Sequence, residues 1–454
     1  MEREAPLCLW FDAGISKVVR ARIAYAFRTF CAVYRRECLV LESSEHPPAG
    51  AFRYGIELPA IYDGRPANEP APAPVSVCKL PVFHGNVGRV DWLGEIFEWI
   101  SCADEYAVLE RDDVGRIPFA ASLHGRYELD PTIPYASVAM ERFARTIGIA
   151  APQGKTRVAA SHDLDYVPTS TLGDVRRLAK NVGIALVNDR DVRLAAGIVG
   201  SAFRGLLRRR SPLDYLRPMR EREHKRGFRS TSNVICRNTC PRDANYSLDD
   251  PRIIHELREL ERSGSELGVH ASYMSLRDGG FEKEIAAMRH LGFNVRGVRA
   301  HWLRYAGSDL FDAVADSGLE YDSTVGFADR VGFRSGASFV YRPYDFSAEM
   351  AYPFYEVPLA IMDGALYVHA RVASVSPREL AERVLDMADA FPSGAVSVLW
   401  HNTVFEGAQL PRDVGTLYWD LPRAHQRWTT NARVVDDEAP WFDRAFAQGD
   451  PVRC

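Results

Sequence analysis

A chain of 454 residues that is 46% hydrophobic and 26% charged can build about two or three cores, which excludes a disordered scaffold. Its formal net charge of −4 supplies no overall field for nucleic acid or an anionic membrane, so no nucleic-acid partner is expected. The opening MEREAPLCLWFDAG puts acids where a signal peptide needs a basic region, and no apolar run reaches the length of a membrane helix; a cytoplasmic protein without a transmembrane segment is expected.

In chain order, EPAPAP at 69–74 is a stiff connector inside the first domain, because prolines fix the backbone and cannot donate to a sheet. Trp92, Leu93, Ile96, Phe97, Trp99 and Ile100 recur at helical spacing, and Asp113 to Gly115 form a turn. The Gly and Pro of GIAAPQGKTRVAAS place a boundary near residue 150: 1–150 is expected to be a smaller α/β accessory domain, and 151–454 the larger one. There VAASHDLD reads as a buried strand, followed by strands at 230–236, 266–271, 295–301, 355–361 and 395–401. Helical patterns alternate with them, such as DPRIIHELRELERSG and SPRELAERVLDMADAF, each opened by a capping Asp or Ser beside a Pro. The fold class expected is α/β, a distorted (β/α) barrel. A helical, Arg-rich insertion near 172–226 interrupts it, and Arg208, Arg209 and Arg210 there either are solvated or pair with phosphate. The eight scattered cysteines, of which Cys236 and Cys240 lie close, read as reduced structural thiols.

Several strands deliver ionisable groups at their carboxyl ends: Asp163 and Asp165, His270, Arg299 and His301, and His401. In a parallel barrel those ends share one face. Singly, each has a plain explanation as a cap or a hydrogen-bonded core residue. Together, carboxylate and imidazole suit zinc or another divalent transition metal, a second carboxylate can take a proton from water, and a separate His can protonate a leaving amine.

SHDLD, ELGVHASY, VRAHWLRY, YDSTVGFADRVGFRSG, EVPLAIMDGAL and VLWHN resemble the successive motifs of the polysaccharide deacetylase (NodB-homology, carbohydrate esterase 4) superfamily, and more closely the branch found in bacterial surface-polysaccharide gene clusters. DWLGEIFEWISCADEY and RDDVGRIP are similar to the uncharacterised domain that precedes the deacetylase domain in that branch. The resemblance implies a metal-dependent hydrolase that removes an N-acyl group, first of all N-acetyl, from an amino sugar or a nucleotide- or lipid-linked precursor. Zinc is the first expectation, with cobalt, nickel or manganese as alternatives.

By the same resemblance Asp163 is the base, Asp165 and His270 are metal ligands, Arg299 orients the base and His401 protonates the amine. The HDLD spacing leaves the roles of Asp163 and Asp165 open to exchange. The family's second motif has a further His four residues after the first, where this sequence has Met274, a soft thioether ill-suited to zinc. His301 is the candidate third ligand. His162 is the rival, although strand alternation turns it away from its neighbours. Tyr273 is either an oxyanion donor, through its hydroxyl or its N–H, or a packing residue. Asp322 orients His401 or another ring, or else caps a loop; Asn402, next in the chain, is expected to fix the His401 ring by hydrogen bonding. Gly326, Gly332 and Gly336 read as turns around the pocket. Two other functions fit the same residues: a non-catalytic carbohydrate-binding protein on a degenerate barrel, for which Met274 speaks, and an amidohydrolase acting on a non-sugar amide or imide.

Overall fold

The computed structural model describes residues 5–41, 50–166 and 216–447, apart from positions 56, 59, 68, 78–79, 87, 278, 306 and 407–409, together with scattered positions between 178 and 200. Most of the Arg-rich insertion, Arg208, Arg209 and Arg210 included, lies outside the described residues.

The chain begins as a β-α-β unit. Strand β1 (Leu7–Phe11) leads to helix α1 (Lys17–Val33), and β2 (Cys38–Leu41) and β3 (Phe52–Tyr54) flank β1 in parallel. Ser16 starts α1 by accepting a hydrogen bond from the Val19 N–H at 3.2 Å. Helix α2 (Trp92–Ile100) forms where the apolar spacing places it; the Asp91 carboxylate caps it through the Gly94 N–H at 2.9 Å. Helix α3 (Tyr135–Thr146) completes the described helical layer of this region.

From Arg157 strands and helices alternate: β4 (Arg157–Leu164), α4 (Leu216–Lys225), β5 (Thr231–Val234), α5 (Pro251–Arg262), β6 (Glu266–Ala271), α6 (Phe281–His290), β7 (Gly297–Ala300), α7 (Ser308–Ser317) and β8 (Tyr321–Asp322). There follow β9 (Tyr355–Glu356), β10 (Leu359–Met362), α8 (Asp363–Ala373), α9 (Pro377–Asp389), β11 (Ala395–Leu399), α10 (Arg412–Asp420), β12 (Arg427–Thr429) and α11 (Asn431–Phe446). The strands form one parallel sheet in the order β9-β8-β7-β6-β5-β4-β11-β10, with β12 also paired to β4.

Side chains show that the sheet curls into a barrel. Arg299 on β7 lies three strand steps from β4 and four from β11, roughly 14 and 19 Å in a flat sheet. Its guanidinium nevertheless reaches Ser161 Oγ at 2.8 Å, Asp163 Oδ1 at 3.1 Å and Ser397 Oγ at 3.0 Å. Only a sheet rolled about this side chain brings those groups within its reach. Alternation then sends Val158, Ala160, Val234, Val269, Val298, Val396 and Val398 into the hydrophobic core.

The strand expected at 355–361 is two short strands on opposite edges of the sheet. Pro358 cannot donate to a ladder, and the chain crosses the seam there: Val357 N–H donates to Asp322 O at 2.9 Å, Leu359 N–H to Val325 O at 3.1 Å, and Pro358 O accepts from Ser397 N–H at 2.8 Å. No helix of the described residues is long and apolar enough to cross a membrane. Cys236 and Cys240 are free thiols.

The first region and the barrel share a hydrophobic cluster that includes Phe27, Phe97 and Phe143 from the former and Tyr341, Tyr344, Phe442 and Phe446 from the latter. Gly332 and Gly336 do not line the pocket. They let the backbone approach the first region: a Cβ on Gly332 would stand 1.9 Å from Pro131 O, and one on Gly336 would stand 2.8 Å from Ala136 N. Between them Arg334 is 6% exposed and clasps Glu105 in a bidentate pair at 2.8 and 2.9 Å. Removing one partner of such a pair strands the other charge. Arg334→Met should therefore lower stability by roughly 3–5 kcal/mol, and adding Glu105→Gln should recover part of the loss. Denaturant midpoints of the three proteins check this, and an unshifted midpoint for the single variant would contradict it.

Candidate active site

The strand ends bring the candidate residues to one pocket at the carboxyl end of the barrel. On β4, alternation turns Ser161 and Asp163 to the interior and His162 away from it. The His162 ring is fully buried, with Nδ1 2.7 Å from Trp400 O and Nε2 2.8 Å from Glu223 Oε1; Glu223 also accepts from the Tyr418 hydroxyl at 2.6 Å. His162 is thus held by α4 and α10 and takes no part in the pocket.

Asp165 follows β4, His270 lies near the end of β6 and His301 follows β7. Asp165 Oδ1, His270 Nε2 and His301 Nε2 all lie within 4.8 Å of one another. His270 Nε2 stands 3.1 Å from Asp165 Oδ1, yet no aligned hydrogen bond reaches that buried oxygen. The rings face the carboxylate by design of their outer partners. His270 Nδ1 is 2.8 Å from Arg299 O, an oxygen that can only accept, so Nδ1 carries the proton and Nε2 of the neutral ring is a lone pair. His301 Nδ1 is 3.1 Å from Asp243 Oδ1 in the same sense, which leaves Nε2 toward Asp165 at 3.7 Å. Acceptors turned on one another, each fixed from behind by a hydrogen bond, fit a cation better than they fit each other. Two nitrogens and one oxygen suit zinc and neighbouring transition metals.

Without a cation, protons fill this role. Burial raises the Asp165 carboxyl, but His301, His270 and His401 outweigh it and hold the group well below the usual carboxylate range. Burial lowers His301, but Asp165 and Asp243 push it up to about 9. A cation would compete with that proton for the same lone pair.

Asp163 has a different environment. Its Oδ1 accepts from Asn233 Nδ2 at 2.7 Å and from Arg299 Nη1 at 3.1 Å, while Oδ2 faces His270 Nε2 at 3.5 Å. Burial raises its carboxyl, and His270, Arg299 and His401 pull it below the usual value. The anchored oxygen and the free one are therefore distinct.

His401 lies beyond β11, with Nε2 3.4 Å from Asp165 Oδ2. Asp363, the first residue of α8 and 1% exposed, accepts from the His401 backbone N–H at 2.7 Å and pairs with Nδ1 at 2.8 Å. Burial lowers the imidazole, but Asp363 together with Asp165 and Asp163 pushes it up to about 10.

Hydrogen bonds bear on the alternatives left open for Asp322 and Tyr273 and place Asn402 away from the His401 ring. Asp322 does not orient His401: its carboxylate accepts from Thr324 Oγ1 at 2.6 Å and Thr324 N–H at 3.1 Å, capping the loop after β8. Tyr273 gives its N–H to Asp243 at 2.8 Å, and its hydroxyl faces Val114 O of the first region at 3.4 Å. Asn402 donates to Tyr166 O at 2.8 Å and does not fix the His401 ring. Met274 is not among the residues of this cluster, whose third donor group is His301. The turn after His301 is itself unusual. Trp302 has φ +64° and is 39% exposed, its ring 5.6 Å from that of His301, and its carbonyl accepts from Arg116 Nη1 at 3.3 Å.

No family model and no curated protein matches the chain. Solved structures similar to it include a protein from Mycobacterium smegmatis described as a candidate polysaccharide deacetylase, 16% identical over 64% of this chain and 93% of that one, with TM-score 0.40. A carbohydrate esterase 4 pseudoenzyme from Bacillus anthracis is 10% identical over 63% of this chain and 67% of its own, with TM-score 0.32. The carbohydrate esterase 4 domain of a multidomain xylanase, from the hindgut metagenome of Trinervitermes trinervoides, is 10% identical over 63% of this chain and 92% of its own, with TM-score 0.29. At such scores these likenesses assign no activity to this chain.

The site makes a direct prediction about metal. Titrating metal-freed protein with zinc or cobalt should show one site that is lost in Asp165→Ala. Asp243→Ala should bind about 10- to 100-fold more weakly, because the His301 ring loses its hold. Equal affinity for wild type and Asp165→Ala would remove this carboxylate from the metal centre.

Proposed function

We propose that the chain is a metal-dependent hydrolase that removes an N-acyl group, first of all N-acetyl, from an amino sugar or a sugar-containing precursor. One observation carries this: the Asp165, His270 and His301 cluster lies between a separately anchored carboxylate, Asp163, and a separately clamped imidazole, His401. That is the division of labour that amide hydrolysis needs, a base for water and an acid for the departing amine. The resemblance of the sequence motifs to polysaccharide deacetylases supports the acyl amino sugar as substrate.

A divalent ion bound to the cluster would supply Lewis acidity, polarising the acyl carbonyl and acidifying the attacking water. Asp163 receives the proton of that water on Oδ2, since Asn233 and Arg299 hold Oδ1. His401 holds a proton on Nε2 and delivers it to the nitrogen as the C–N bond breaks. Asp363 behind Nδ1 keeps the ring charged and aimed beforehand. The exposed ring of Trp302 beside His301 offers an apolar face to the sugar.

Asp163→Asn should lower kcat by about 10²–10⁴-fold while retaining the metal, and His401→Gln should do the same, with the acetate released from acetylated amino sugars as the measurement. Trp302→Ala should act mainly on KM. Full turnover by Asp163→Asn would end the assignment of the base, and metal binding with no turnover of any acylated amino sugar by the wild type would leave a binding protein.

A further inference from the structure

Beyond the Asp165, His270 and His301 cluster, the loops after β5, β6 and β7 carry Arg242, Arg277 and Arg304, two of them against one aromatic ring. The guanidinium carbons of Arg304 and Arg242 lie 4.4 and 5.1 Å from the centre of the Tyr273 ring. Arg304 Nη1 donates to Tyr273 O, while its Nε is buried without a hydrogen-bond partner. Burial lowers the Arg304 guanidinium, and the nearby charges of Arg277 and Arg242 lower it further. Among the described residues no carboxylate forms an ion pair with any of the three. Arg242 and Arg277 are exposed.

This concentration of positive charge is local, since the chain as a whole carries −4. It also adjoins the pocket directly. Tyr273 N–H and His301 Nδ1 share Asp243 Oδ1, at 2.8 and 3.1 Å, so the ring between the arginines and the candidate ligand are fixed by one oxygen. Like charges gathered together repel one another, and an anion placed among them lowers that cost while meeting planar forks suited to phosphate oxygens.

We propose that Arg242, Arg277 and Arg304 form a binding site for a phosphoryl group carried by the substrate. The proposal rests on the hydrolase reading and deepens it, because it makes the substrate a phosphorylated acyl amino sugar, whether linked through the phosphate to a nucleoside or to a lipid.

The test uses the full chain loaded with zinc, as wild type and as the double variant Arg242→Gln, Arg277→Gln, whose changed side chains are exposed and outside the metal cluster. Calorimetric titration with inorganic pyrophosphate, uridine diphosphate, N-acetylglucosamine 1-phosphate and unphosphorylated N-acetylglucosamine is followed by acetate release from the last two. Any direct contact of phosphate with zinc is common to both proteins, so the difference reports the arginines. Both phosphorylated probes should bind about tenfold or more weakly to the variant, with metal content unchanged. Tighter binding of uridine diphosphate than of inorganic pyrophosphate, which matches it in phosphoryl groups, would assign the nucleotide source, and equal binding the phosphoryl groups alone, as on a lipid carrier. Equal affinity of the two proteins for both phosphorylated probes would overturn the proposal. Arginine-dependent binding with no acetate release would leave the anion site and remove the hydrolase; acetate release indifferent to the variant would do the reverse.

Discussion

The rest of the molecule depends on one buried cation, the guanidinium of Arg299. It is wholly shielded from solvent and spends its donors on Ser323 O at 2.9 Å, Ser161 Oγ, Ser397 Oγ and Asp163 Oδ1, drawn from three places in the sequence. A charge so placed is tolerable only if those acceptors surround it, because an unpaired ion in the interior costs several kcal/mol. The sheet must therefore curl until β4 and β11 meet β7. The same residue sets the chemistry from both ends. Its side chain holds the Asp163 carboxylate in its charged form, and its carbonyl fixes the His270 tautomer. The curl of the sheet, the Asp163 carboxylate and the His270 ring share one residue.

The four histidines next to the strand ends show how outer partners decide roles. His270 leans on a peptide oxygen, His301 on Asp243 and His401 on Asp363, and each points its other nitrogen at Asp165. His162 differs in having both nitrogens engaged, by Trp400 O and Glu223, so no lone pair remains for a ligand. Residue type is identical in the four cases. The second hydrogen bond distinguishes the three rings that turn a nitrogen to Asp165 from the one held on both sides.

The first region meets the barrel near the pocket as well as through a shared core. Its turn at Asp112–Arg116 meets the Tyr273 hydroxyl through Val114 O, the Trp302 carbonyl through Arg116 and Arg304 beside Gly115. The loops that carry the candidate ligand and the arginines are thus braced from outside the barrel. The Arg334 and Glu105 pair and the glycine contacts at Pro131 and Ala136 hold that brace in place.

The sequence by itself determined the parallel α/β fold and most of the pocket. Apolar runs ending in Asp163, Asp165, His270, His301 and His401 announce strands that share a face, since period-two burial and the parallel crossover are local rules. Asp363 was also legible in principle, as an acid at the end of the LAIM strand. Only the tertiary structure decided the partners. Asp243 and Asn233 gave no distinctive signal, because a loop acid and an inward strand amide join the site only through a neighbour distant in the chain, His301 in one case and Asp163 in the other. Asp322, Tyr273 and Asn402 have suitable chemistry and suitable positions, yet nearer groups engage the Asp322 carboxylate, the Tyr273 N–H and the Asn402 amide nitrogen. Sequence specifies which groups reach the face; which atom each group has left to offer is settled by the contacts behind it.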